Sequence, residues 1–165
     1  MPVNPAAGSV QGKEGFCGQN HRGGTLTAMT FRPESLRGAG VGTSGAPVDY
    51  RLARSAVVAQ FQKGRLDRND VCDAHPELLR AARNIGEVTA IDCPICEQDQ
   101  VVLISYLFGG RLPPGGTVVS NAKELRKAVG RGTDPVTCYV VEVCPSCSWN
   151  HLAQVLPVKG KRRAS

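Results

Sequence analysis

Aromatic residues make up only 5% of this 165-residue chain, and there is a single tryptophan. A base-stacking platform of the kind used by single-strand binders is therefore thin in composition. No stretch approaches the roughly 20 apolar residues that a membrane span needs, so no membrane association is expected. The N-terminus lacks a basic flank followed by an apolar run, so no secretory signal is read there. Three catalytic or nucleotide-binding patterns are also missing: G-x-S-x-G, the phosphate loop and the dinucleotide fingerprint. Residues 1–47 lack apolar periodicity and carry ten glycines, a composition that buries little surface.

What the chain does have is cysteine in a pattern. Cys93-Pro94-Ile95-Cys96 and Cys144-Pro145-Ser146-Cys147 are two C-x-x-C turns, each placed between strand-like runs. One such turn aims two thiolates at a point and is ambiguous between metal and thiol–disulfide chemistry. Two of them complete the four-sulfur shell that Zn²⁺ prefers, with no position left for water or substrate, so the expectation is one structural zinc. Proline after the first cysteine fixes φ, and the tight turn lets backbone N–H groups face the sulfurs. The remaining cysteines, Cys17, Cys72 and Cys138, read as free thiols in a reducing cytoplasm.

The net charge of +6 is unevenly distributed. Residues 87–157 carry a net −2, whereas the last eight residues carry +4 from Lys159, Lys161, Arg162 and Arg163. A basic patch is the electrostatic footprint of nucleic-acid binding, and here it lies in the flank. The expectation is weak, nonspecific nucleic-acid contact by those four side chains.

Along the chain, Asp49 is placed to cap a helix running to about Lys63, with Tyr50, Ala53, Val57 and Phe61 on one stripe. Asp67–Val71 suggests a short helical turn. Asp73 is read as the cap of a second helix whose first turn holds Pro76 and whose apolar face is Leu78, Leu79, Ala82 and Ile85. From Glu87 the period changes to that of strands: 88–91 and 101–108 flank the first C-x-x-C, and 137–143 and 149–157 flank the second. Asn121 with Glu124 marks the start of a helix over 122–129, inserted between the hairpins. The fold class expected is α+β: two zinc-ribbon hairpins pinned at their tips. The division expected is a disordered tail at 1–47, a helical segment at 48–86, the ribbon at 87–157 and a basic tail at 158–165.

Other side chains are weighed against plainer roles. Cys17 and His21 form a C-x-x-x-H with no second pair nearby, and read as tail. His151 could stand in for a cysteine ligand, but four cysteines make that unnecessary. Trp149 either packs on the knuckle or offers a ring to a partner. Cys72 lies near His75, which resembles a nucleophile pair, although residues so close in a capping turn more often serve structure. Asp67, Asp70 and Asp73 suit capping better than a divalent ion.

Taken together, Val71-Cys72-Asp73-Ala74, Pro76, Leu79-Arg80-Ala81-Ala82, Cys93-Pro94-Ile95-Cys96, Val141-Glu142-Val143-Cys144 and Cys147-Ser148-Trp149-Asn150-His151-Leu152 resemble an uncharacterised family of small actinobacterial, zinc-ribbon-like proteins. The resemblance covers about residues 48–156 and implies a cytoplasmic bacterial protein without an activity to transfer. It makes Trp149, Asn150 and His151 a candidate partner surface.

The functional expectation is a non-enzymatic adaptor that docks on RNA polymerase or the ribosome, with basic flanks touching nucleic acid. The alternatives are sequence-specific DNA reading by the helices at 49–85, with Arg80 and Arg83, and a thiol-dependent enzyme. The linker of about ten residues between those helices already exceeds the three or four of a helix-turn-helix.

Overall fold

The computed structural model describes residues 41–130 and 134–160. Among the described residues, seven strands form one antiparallel sheet. The strands are β1 Val41–Thr43, β2 Val48–Asp49, β3 Glu87–Asp92, β4 Gln100–Gly109, β5 Thr117–Val119, β6 Val136–Val143 and β7 Asn150–Gly160. The path runs β1-β7-β6-β4-β3, with β2 sharing β7 with β1 and β5 sharing β4 with β3. The helices are α1 Arg51–Gln62, α2 Arg68–Val71, α3 Pro76–Ile85 and α4 Ala122–Val129. This is the α+β class expected, with the two hairpins side by side in one sheet. Val102 of β4 pairs with Val143 of β6, so both hairpin tips leave the sheet at the same end.

Alternation along β4 and β6 gives each face its own core. On one face, Leu107, Val136, Cys138, Val140, Leu156 and Val158 pack under Leu125 and Val129 of α4. Toward the tips the same face continues through Val101 and Trp149 to Val57, Val58 and Phe61 of α1. On the opposite face, Val102, Ile104 and Val143 pack against Leu78, Leu79 and Ala82 of α3. Gly86 lets the chain turn from α3 into β3 at close range, since a Cβ there would lie 2.1 Å from Val102 Cγ1. Helices α1 and α3 thus lie on opposite sides of the sheet and do not form a helix-turn-helix unit. Arg80 pairs with Glu77 on the same helix, and Arg83 donates to the Pro145 carbonyl at 3.0 Å.

Several boundaries differ from the sequence reading. Val41–Thr43 falls within the segment read as tail and Val48–Asp49 at the start of the segment read as helical, yet both pair with β7, and Val41 is buried in the core. Strand β7 extends to Gly160, past the boundary expected at 157, because Val158 is fully buried opposite Val136. Lys159 is therefore an exposed strand residue. Lys161, Arg162 and Arg163, like Cys17 and His21, lie outside the described residues.

Caps shift by a residue or two. The cap of α1 is Tyr50, with Asp49 still accepting from Arg51 N at 2.9 Å. The cap of α3 is His75, whose Nδ1 accepts from Glu77 N, because Pro76 opens the helix immediately after it. Asp73 instead accepts from Asn150 Nδ2 at 2.8 Å. At α4, Asn121 caps as expected, accepting from Lys123 N and Glu124 N. In α2 the Asp70 carboxylate accepts from Asp67 N at 2.7 Å, which is capping chemistry.

Candidate metal centre

The two C-x-x-C turns fold alike. In each, the first cysteine's carbonyl accepts from the N–H four residues on: Glu97 N to Cys93 O and Ser148 N to Cys144 O, both at 3.0 Å. In each, the first cysteine's own N–H closes the hairpin, Cys93 N to Asp99 O and Cys144 N to Trp149 O, both at 2.8 Å. The residue after the second cysteine takes a left-handed backbone in both, with φ of 54° at Glu97 and 68° at Ser148. That conformation is ordinarily left to glycine, and its repetition marks the turn as one device used twice.

The side-by-side hairpins bring the four sulfurs together. The Sγ atoms of Cys93, Cys96, Cys144 and Cys147 all lie within 4.8 Å of one another. Two approaches cross between hairpins: Cys93 to Cys147 at 3.5 Å and Cys96 to Cys144 at 3.7 Å. A disulfide would hold sulfurs at about 2.05 Å. Tetrahedral zinc with bonds of about 2.3 Å spaces its sulfurs by about 3.8 Å. The arrangement fits a metal and not a disulfide. Cys93, Cys144 and Cys147 are buried, and Cys96 is half-buried.

Burial pushes the Cys93 thiol up to about 11 and raises Cys147 further, against backbone N–H groups that favour the thiolates. At Cys96 burial also pushes upward, but the Gln98 N–H and the neighbouring thiols outweigh it, and the net shift is downward. Against a desolvation cost, Cys72 and Cys147 hold the Arg68 guanidinium above its ordinary range. Ser146 Oγ donates to Asp99 Oδ2 at 2.7 Å and ties one turn to the other outside the sulfurs.

In the run read as a partner surface, Trp149 is buried and Asn150 and His151 are half-buried. Trp149 is 1% exposed, and its Nε1 donates to Glu142 Oε1 at 2.9 Å. His151 stacks on it with ring centroids 5.9 Å apart, and its Nδ1 is buried without a partner among the described residues. Asn150 binds Asp73, and Ala74 N donates to Ser148 O at 3.0 Å. The run fastens the helical segment to the second hairpin, because its alternate side chains face α1 and the α2–α3 linker. No ligand position for His151 arises, since it lies outside the sulfur cluster.

Sequence reasoning missed Glu142, a buried carboxylate that receives Arg54 through both Nε and the terminal nitrogen. The available signal was an acid inside the otherwise apolar strand 136–143. Cys138 is fully buried, as its apolar strand suggested.

Among the described residues no helix is long and apolar enough to cross a membrane. No solved structure matches the chain. Three mycobacterial proteins do: uncharacterized protein Rv0049 and uncharacterized protein MT0055 of two Mycobacterium tuberculosis strains, and uncharacterized protein Mb0050 of Mycobacterium bovis. Each is 40% identical over 107 residues, which is 65% of this chain and 77% of the relative. Over residues 42–165, from the first strand through the four-cysteine cluster to the basic end, the chain belongs to the family of unknown function DUF5318.

Proposed function

We propose that this protein is a non-enzymatic adaptor in which one structural zinc ion, held by Cys93, Cys96, Cys144 and Cys147, fixes two hairpin tips for docking on a large nucleic-acid machine, RNA polymerase or the ribosome. The observation that carries the metal is the cross-hairpin sulfur spacing of 3.5 and 3.7 Å. Four protein ligands fill a tetrahedral shell, as a structural role requires. When bound, the ion supplies a cross-link between two hairpins that otherwise meet through strand pairing, and so adds folding free energy.

Support for docking comes from what the cross-link presents. The first tip carries exposed Glu97, Gln98, Asp99 and Gln100 beyond the metal. The opposite end of the sheet carries exposed Lys159, and the sequence continues with Lys161, Arg162 and Arg163, a charge suited to phosphate. Affinity purification from the native cell, with and without nuclease, tests this reading. Polypeptides of the transcription or translation machinery should be retained after nuclease. Loss of every partner on nuclease treatment contradicts protein docking.

A further inference from the structure

Helix α3 covers only the tip-side half of its sheet face. At its far edge, half-buried Tyr106 packs against the α3 side of the core, Phe108 stands two residues further along β4, and Tyr139 of β6 lies directly opposite Tyr106. The Tyr106 and Phe108 rings stack at 6.3 Å with 25° between planes, and Tyr139 meets Phe108 edge-on at 5.6 Å. Phe108 is 37% exposed. Gly116 holds the other side of its ring, since a Cβ there would come within 2.7 Å of it. The rings border an open apolar groove of about 370 Å³ whose other walls include Leu78, Val141 and Leu152. Two of three tyrosines and one of four phenylalanines are thus gathered on one surface in a chain poor in aromatics.

We propose that this aromatic face binds single-stranded nucleic acid, with bases stacked on Phe108, Tyr106 and Tyr139 and phosphates held at the basic end of the sheet. The charge lies where a strand crossing the rings would place its backbone. Lys159 follows Val158, which pairs with Val136 one row from Phe108; Arg111, in the turn after β4, is almost wholly exposed and is paired with Asp134 at 3.7 Å, so the charge rests chiefly on Lys159. Glu77, at the α3 edge of the groove, is paired with Arg80, so its charge is offset. Unpaired bases present flat faces to such rings, and a duplex does not. The inference rests on the proposed adaptor reading only for the basic flank, and it replaces contact by that flank alone with a defined surface.

The test is fluorescence anisotropy of the full, zinc-loaded chain with a labelled ten-nucleotide oligouridine and with a ten-base-pair duplex. Oligouridine should bind in preference to duplex. Phe108→Ala should weaken oligouridine binding about fivefold or more, the loss typical of one stacked base. Phe108→Trp should restore it, and Tyr139→Ala should weaken it too. Circular dichroism and zinc content confirm that each variant is folded. No oligouridine binding by the full chain overturns the proposal. Binding that survives Phe108→Ala and Tyr139→Ala but is lost on truncation after Gly160 also overturns it, while leaving the adaptor reading intact. A dimer that Phe108→Ala dissociates, with oligouridine binding unchanged, overturns it in favour of a second copy on this face. Failure of the adaptor reading shows separately, as loss of protein partners in the native-cell purification.

Discussion

The indole Nε1 of Trp149 donates to Glu142 Oε1, and the same carboxylate receives Arg54 of α1 at 2.8–3.0 Å. Residues 142 and 149 flank the second C-x-x-C turn. The contact therefore joins the hairpin that carries Cys144 and Cys147 to a helix nearly ninety residues earlier in the chain. Glu142→Ala leaves Trp149 Nε1 unpaired and Arg54 without its counter-charge in a mostly buried place. Loss of one partner of such a pair costs about 3–5 kcal/mol. Urea unfolding should show a loss of that order for Glu142→Ala and a smaller one for Glu142→Gln, which keeps an acceptor for the indole. Equal stability of Glu142→Ala and the parent chain contradicts a structural role for the pair.

The left-handed residues give a prediction of opposite sign. Glu97 and Ser148 hold a backbone conformation that costs an L-residue on the order of 1 kcal/mol and costs glycine little. Glu97→Gly and Ser148→Gly should each stabilise the zinc-loaded protein by up to about 1 kcal/mol, with zinc content unchanged. Replacement of either residue by valine should destabilise it. The midpoint of thermal unfolding reports both.

Cys138 sets an alkaline limit. Burial raises its thiol from the ordinary 9.0 to about 12 in the folded chain. A folded value above the unfolded one stabilises fully below about pH 9, and the contribution disappears as pH rises toward 12. Between pH 8 and 10.5 the parent should lose about 2 kcal/mol more stability than Cys138→Ala does. Parallel urea-midpoint profiles for the two proteins across that range would contradict this assignment.

Much of this architecture is local and therefore legible in sequence. The C-x-x-C spacing, the strand periods on either side of each turn and the Asn121 cap each specify structure within about ten residues. What the sequence conceals is long-range. Val41 reads as tail by composition and is core only because β1 pairs with the far end of β7. The aromatic face exists only because the β4–β6 register sets Tyr139 opposite Tyr106. The placement of α1 and α3 on opposite faces follows from the alternation of β4 and β6, which neither helix reveals. Trp149 could be read as presented or as packed, and Glu142 across the hairpin decides for packing.

The basic end predicts a graded salt response. Truncation must begin at residue 161, because Val158 is in the core. Each phosphate contact contributes a log–log salt slope near −0.9 for duplex, so removing Lys161, Arg162 and Arg163 should reduce the slope by about 2 to 3. Zinc content and unfolding midpoint should be unchanged. An undiminished slope would place phosphate contact elsewhere on the chain.

The metal content of the purified protein, measured by elemental analysis before and after chelation with an unfolding curve on each sample, decides whether the four cysteines hold a structural ion. About one zinc per chain is expected, with its loss on Cys93→Ser or Cys144→Ser but not on Cys17→Ser, and with a chelated protein whose hairpins no longer fold cooperatively. A metal-free protein that unfolds at the same midpoint as the untreated sample would contradict it.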